Sequence, residues 1–425
     1  MKINDAFQKN DKEITLKGWV YRHRVSKDLV FVILRDSSGI IQCTFKRGVV
    51  PDDVFEKAES LMVESSVEIK GIVKEDKRAP GGHELRASDI KIIHLAERFP
   101  IVRDKSKEFL RDVRHLWLRS REMTSIMKIR STVFFAIHEF LRNKDCYEIQ
   151  PPIFTTAGSE GGSTLFEVDY FGSKVYLTQS WQLYAEAMIY SLERIYTISP
   201  TFRAEKSKTS RHVTEFWMAE MEAAWMDFEE LAEMSEGLIK HICKKVLEKN
   251  KEDLEILNVD TKKLQLKEPF RRITYDEVLK ILEKNGMSVK YGKDLGAKEE
   301  TNIAKILGGK PILITHYPKE IMAFYKKRDP KNPKYALNLN IIVPDIGEVL
   351  DGSEREPDIK EIKKALEKEG ADMKEYEFYL DTRRYGSVPH SGFGLGVDRV
   401  IQWICNLDSI QEAIPFPRTI KRVEP

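Results

Sequence analysis

Residues 201–225 read TFRAEKSKTSRHVTEFWMAEMEAAW and set Arg203, Glu205, Arg211, His212, Glu215, Glu220 and Glu222 among apolar neighbours. The flanks, YTISPTFRAE entering and EFWMAEMEAAW leaving, alternate as strands do, and the polar stretch KSKTSRHVT between them reads as a loop. A hairpin follows, and its period of two brings alternate residues to one sheet face. Arginines on that face offer planar donors to phosphate oxygens, while carboxylates offer acceptors to a base or an ammonium. Residue types alone leave a second reading open, a charged hairpin facing solvent.

Downstream, HSGFGLGVDRVIQWI (390–404) spaces Gly392, Gly394 and Gly396 two apart, which strips side chains from one face of a strand and lets a flat ligand approach the backbone. Arg399 opens the helix that follows. Upstream, residues 14–95 hold five β-type runs, ITLKGWVYRHR, LVFVILRD, IIQCTF, SVEIKGIV and HELRASDIKIIHL. Between the third and fourth runs, Val54, Ala58, Leu61 and Met62 fall at helical spacing. Three strands, a helix and two strands is the order of the oligonucleotide-binding barrel. After residue 98 the texture turns helical, with an amphipathic stretch over 125–145 and a Lys/Glu-rich helical region over 228–307. The expected division is a barrel over 1–98, a linker over 99–124 and a larger α+β domain over 125–425.

A length of 425 residues suits two or three domains. Lys+Arg 70 against Asp+Glu 68 leaves a net charge of +2, which excludes a polycation, and 41% hydrophobic residues exclude wholesale disorder. The apolar run Leu29–Leu34 is far shorter than a membrane span, so no membrane partner is expected. The opening MKINDAFQKNDKE is polar and partly acidic, unlike a targeting segment. Cys43, Cys146, Cys243 and Cys405 are too widely spaced for a zinc knuckle or a disulfide framework, which points to a reducing compartment, the cytoplasm. Walker, GxGxxG, HExxH and GxSxG patterns are absent.

FRAE…RHVTEF followed by GFGLGVDR resembles motifs 2 and 3 of the class II aminoacyl-tRNA synthetases, and YEIQPPIF (147–154) resembles motif 1, the subunit-pairing segment of that family. SEGGSTLFEV (159–168), QSWQLYAEA (179–187), YPKEIMAFYKK (317–327) and PFPRT (415–419) resemble the aspartyl/asparaginyl subgroup, most nearly its archaeal-type asparaginyl members. The resemblance implies an N-terminal anticodon-binding barrel (OB-fold), a catalytic domain on an antiparallel sheet flanked by helices, ATP and Mg2+ as cofactors, and a homodimer joined around Pro152.

Carried onto this chain, the resemblance gives Arg203 the α-phosphate of ATP, sets Phe216 and Arg399 on opposite faces of the adenine, and assigns Glu205, Arg211 and His212 to the nucleotide. Ser159, Glu160, Gln182, Ser353 and Arg355 would bind the amino acid, the first three at its ammonium end and Arg355 at its side-chain oxygen. Glu348 and Asn340 would hold magnesium. The aspartyl members carry a lysine at the position of Ala185 and an aspartate at that of Glu220. Losing the cation and keeping an acceptor suits a carboxamide, so Ala185 and Glu220 are expected to face the substrate side chain from opposite sides. Three departures stand out. Asn340 replaces a usual aspartate, Asp351 replaces a usual glycine and would face away from Glu348 in a regular strand, and Trp181 replaces a smaller residue.

In the barrel, Phe31 and Gln42 match positions that contact the central anticodon base, with Arg22, His23 and Arg24 adding contacts. A core position for Phe31 is the alternative, since LVFVIL is apolar on both faces. The implied reaction is ATP-dependent ligation of asparagine to tRNA(Asn) through an asparaginyl-adenylate. An aspartyl enzyme, strict or non-discriminating, and an asparagine synthetase-like paralogue that makes an aspartyl-adenylate are the alternatives. Residues 1–98 argue against the paralogue, and the presence of Arg203, Glu205, Glu348 and Arg399 argues against a regulator without catalysis.

Overall fold

The computed structural model describes residues 1–102, 105–156, 158, 164–206 and 211–425. The chain forms two compact units, Met1–Arg111 and Asp112–Pro425.

In the first unit, β1 (Glu13–Ser26), β2 (Leu29–Arg35), β3 (Ile40–Lys46), β4 (Ser66–Glu75) and β5 (His83–His94) close a barrel in the order β1-β2-β3-β5-β4. The helix Asp52–Glu59 lies between β3 and β4 in the chain, as the Val54/Ala58 spacing predicts, but it ends before Leu61 and Met62, which share that spacing. Strict alternation in LVFVILR sends Val30, Val32 and Leu34 into the barrel core and leaves Phe31 and Ile33 on the outer face. Register extends that face: Arg24 opposes Phe31, Arg22 opposes Ile33, and Thr44 and Gln42 lie across from the same two residues on β3. His23 departs from its expected place. It opposes Val32, so its side chain turns the other way and Nε2 donates to the carbonyl of Ala58 at 2.9 Å.

In the second unit, β6 (Tyr147–Glu148) forms the edge of the main sheet, and β7 (Phe154–Thr155), β8 (Glu167–Tyr170) and β9 (Ser173–Leu177) form a separate three-stranded sheet. The main sheet continues with β10 (Arg194–Phe202), β11 (Glu215–Ala224), β12 (Arg271–Thr274), β13 (Ile312–Thr315), β14 (Asn338–Val343), β15 (Gly347–Glu354) and β16 (His390–Gly396). Its order is β12-β13-β14-β15-β16-β11-β10-β6. The sheet is mixed, in contrast to the wholly antiparallel expectation: β12 runs parallel to β13, and β6 parallel to β10. The reason is connectivity. The helices Tyr275–Lys284 and Ala297–Ile306 cross over between β12 and β13, and a parallel pair needs such a crossover.

The helices Arg121–Arg142 and Phe228–Lys249 pack together, and the second also covers β14, β15 and β16. Its start is fixed by a capping box, in which Asp227 accepts from the Glu230 N–H at 2.9 Å and Glu230 accepts from the Asp227 N–H at 3.1 Å. The Lys/Glu-rich region over 228–307 is thus mostly helical, interrupted by β12 and by the non-helical stretches 265–270 and 285–296. The stretch expected as a linker holds the helices Lys107–Asp112 and Arg114–Trp117. Arg114 is buried and donates to the carbonyls of Pro415 at 2.9 Å and Ile414 at 2.6 Å, which ties 112–124 into the second unit.

Candidate active site

A cavity of about 340 Å³ opens over the face of β11 and its neighbours. Antiparallel register sets Met218 against Gly396, Glu220 against Gly394 and Glu222 against Gly392. The glycine spacing predicts a backbone bared to a flat ligand. Instead, a Cβ at Gly392 would fall on the Glu222 carboxylate, and one at Gly394 would lie 2.8 Å from Met218 Cε. The room these two glycines leave is filled by the side chains of β11.

At one end of the cavity a bidentate ion pair is buried. Arg355 Nε and Nη2 each donate to a Glu222 oxygen at 2.8 Å, and Nη1 donates to Ser353 Oγ at 2.9 Å. Glu186 lies 4.0 Å from Arg355 Nε and accepts from Gln182 at 2.9 Å, Tyr379 at 2.9 Å and Arg383. Burial works to raise the Glu186 carboxyl, but the charge of Arg383, the hydrogen bond with His390 and the charge of Arg355 outweigh it and hold it low. Glu222 is pushed up by burial, against the pull of Arg355. Among the described residues, Glu186, Glu222 and His390 have the spacing of metal ligands, but the guanidiniums of Arg355 and Arg383 already neutralise the two carboxylates.

The substrate-side-chain pair expected from the sequence separates. Glu220 lines the cavity, where it accepts from Ser180 Oγ and, at 3.3 Å, from the Trp181 N–H. Ala185 does not line it. It is fully buried among Trp181, Ile189, Ile195 and Ala224. Helix geometry explains this: in Gln182–Leu192, residues 182 and 186 share the face toward Arg355, whereas 185 and 189 share the next face, toward β10. Glu186, one residue on, is the group that sequence reasoning missed, and its four-residue spacing from Gln182 was the available signal. Trp181 is buried at the start of this helix and also borders the cavity.

Toward the other end, the Arg203 guanidinium stands 5.5 Å from the Phe216 ring, and its Nε is buried with no hydrogen-bond partner among the described residues. Arg399 Nη1 donates to the Glu348 carbonyl at 2.9 Å. His212 lies 3.8 Å from Glu205 and is lowered by burial and by the charge of Arg399. Arg211 donates to the carbonyl of Ile346 and sits 3.5 Å from Glu300. Glu300, on the helix Ala297–Ile306, accepts from the Glu348 N–H at 3.1 Å, and burial together with the charge of Glu348 raises its carboxyl to about 8.

Asn340 and Glu348 meet directly, since the Asn340 amide nitrogen donates to the Glu348 carboxylate. Asp351 does not face away. β15 pairs Leu350 with Ile341 and then Glu348 with Ile342, so Val349 is the extra residue of a bulge. That residue restores parity, and Glu348 and Asp351 both line the cavity. The Glu348 carboxyl is raised by burial and by Asp351. Lys326 Nζ holds both Asp351 oxygens, at 2.7 and 2.8 Å.

The cavity therefore gathers Gln182, Arg203, Glu205, Arg211, His212, Phe216, Glu220, Asn340, Glu348, Arg355 and Arg399. Ser353 lies behind Arg355, Ala185 lies in the core, and Ser159 and Glu160 are outside the described residues. On the first unit, Arg22 is exposed with its guanidinium 5.5 Å from the Tyr21 ring, Phe31 is partly exposed, and Gln42 donates to Glu84 at 3.5 Å.

Residues 106–420 match the family model described as tRNA synthetases class II (D, K and N), and residues 14–93 match that of the OB-fold nucleic acid binding domain. The chain is 48% identical to an asparagine–tRNA ligase of Thermoplasma acidophilum, over 97% of this chain and 96% of the relative. It is 44% identical to that of Pyrococcus furiosus over the same shares. The crystal structure of asparaginyl-tRNA synthetase from Pyrococcus horikoshii complexed with asparaginyl-adenylate superposes with a TM-score of 0.96 at 43% identity, covering 100% of this chain and 99% of that one. With its two-unit fold, its hairpin of arginines and glutamates and its glycine-lined third motif, this chain belongs to the class II tRNA synthetases of the D, K and N group.

Proposed function

We propose that the chain ligates asparagine to tRNA(Asn) in two steps at this cavity, using ATP. The observation that carries the choice of amino acid is the state of Arg355. Its charge is offset by Glu222 and faced by Glu186, and Glu220 adds a third carboxylate nearby, so the pocket offers donors to a neutral carbonyl oxygen without a free cation for a carboxylate. An asparagine carboxamide fits: its oxygen accepts from Arg355, and its NH2 donates to the carboxylates of β11. An aspartate side chain would add a fourth carboxylate to that wall, a mismatch of several kcal/mol in a dry site.

In the first step the amino-acid carboxylate attacks the α-phosphorus in line, and pyrophosphate leaves. Arg203, whose buried Nε has no hydrogen-bond partner among the described residues, would take an α-phosphate oxygen, and Phe216 and Arg399 would contact the adenine. Glu205, Arg211 and His212 border the remaining phosphates and ribose, and Gln182 the ammonium. In the second step the terminal ribose hydroxyl of the tRNA attacks the adenylate carbonyl, and AMP leaves. The protein acts by position and charge. Magnesium fits the hard oxygen donors that gather at Glu348, where it would offset phosphate charge.

The barrel face bearing Arg22, Phe31 and Gln42 supports anticodon contact. Tyr147 and Phe154, both exposed around Pro152, support pairing of two subunits there. Among the described residues no helix is long and apolar enough to cross a membrane, and all four cysteines are free and buried, which supports residence in the cytoplasm. Amino-acid-dependent ATP–pyrophosphate exchange, followed by transfer to tRNA, tests the assignment: exchange with asparagine supports it, and exchange with aspartate alone overturns it.

A further inference from the structure

At the magnesium end of the cavity this chain lacks an aspartate at 340 and has an unexpected one at 351. The two departures are directly opposed: Asn340 and Asp351 are register partners across β14 and β15. Residues opposed in an antiparallel pair point to the same face. The bulge at Val349 brings Glu348 to that face too, and all three line the cavity. Asn340 itself is a poor cation ligand as it stands. A carboxylate can only accept, so the contact with Glu348 commits the Asn340 NH2 to that side, and its oxygen takes the Asn338 amide at 3.4 Å.

Asp351 retains one-third exposure of its side chain, 33%, whereas that of Lys326 is 7% exposed. Both side chains border the cavity, and the exposed part of the Asp351 carboxylate is the part that its pairing with Lys326 leaves uncovered. Resting on the magnesium reading above, we propose that Asp351 supplies the carboxylate that Asn340 lacks, that Asn340 positions Glu348, and that Lys326 is the counter-ion that a divalent cation must outcompete. The site keeps two carboxylates, with one of them moved across the strand pair.

The test reads cation binding and not activity. Mn2+ stands in for Mg2+ and is titrated by electron paramagnetic resonance against the full chain saturated with α,β-methylene-ATP, which cannot release pyrophosphate. Lys326→Met, close in volume and unable to pair, should bind Mn2+ several-fold more tightly than the unaltered protein. Adding Asp351→Gly to Lys326→Met leaves no orphan lysine and should weaken binding about tenfold relative to Lys326→Met alone. Adding Asn340→Asp to that double variant should restore it. Equal Mn2+ affinity with and without Asp351 overturns the proposal, and weaker binding in Lys326→Met overturns the counter-ion role. Glu348→Gln separates the two levels: binding lost there with Asp351→Gly silent discards only the part assigned to Asp351. Binding unchanged in Glu348→Gln places the cation elsewhere and discards both.

Discussion

At residue 185 an ammonium would enter the apolar cluster of Trp181, Ile189, Ile195 and Ala224. Ala185→Lys should therefore act on stability, costing ~2–4 kcal/mol for a charge without a partner, with no gain in aspartate use. Thermal unfolding and exchange assays on the same protein check this, and a stable variant that activates aspartate would contradict it. Glu222 is the side chain that controls the charge of Arg355. Glu222→Gln removes the bidentate partner, so asparagine-dependent kcat/KM should fall and the aspartate-to-asparagine ratio should rise roughly tenfold. An unchanged ratio would separate Glu222 from selection. Arg203, Arg355 and Arg399 were legible because the family motifs carry them. Glu186 was not, because its role depends on distant partners, Arg355, Arg383 and His390 among them, up to 204 positions away, that a linear reading does not bring together.

β-strands with strict alternation, such as Leu29–Arg35, were legible from their period, and the outer place of Phe31 follows from it. Phe31→Ala should weaken tRNA charging by about 1–3 kcal/mol if a base stacks there and leave asparagine-dependent exchange unchanged. Equal losses in both assays would mean a folding defect. The bulge in β15 was not legible, since one extra residue leaves no mark in composition yet reverses which side chains share a face. The segment YPKEIMAFYKK holds another tertiary effect. Lys319 donates to the carbonyls of Ala323 and Lys326, and burial lowers its ammonium from 10.5 to about 8. Between those values the unfolded chain binds the proton and the folded chain does not, so folding is favoured as pH rises. Relative to Lys319→Met, the unaltered protein should gain stability from pH 7 to pH 10. Denaturant titrations of both proteins at the two pH values measure this, and a constant difference would show that Lys319 does not titrate in that range.

Across the whole molecule, order along the chain was the strongest signal: a barrel pattern, then the hairpin, then the glycine strand, each a full element whose residues are contiguous. The mixed sheet edges and the docking of Arg114 under the last carbonyls depend on contacts up to 301 residues apart, and sequence patterns do not report these. Under the proposed function the two units divide the work, with adenylate chemistry in Asp112–Pro425 and anticodon contact in Met1–Arg111. Choice of the amino acid by a neutralised arginine is measured most directly by ATP–pyrophosphate exchange with asparagine and with aspartate, on the full chain with magnesium. Exchange driven by asparagine, at least a hundredfold above aspartate on the order expected for a buried charge mismatch, is the predicted result. Equal or greater exchange with aspartate would contradict it.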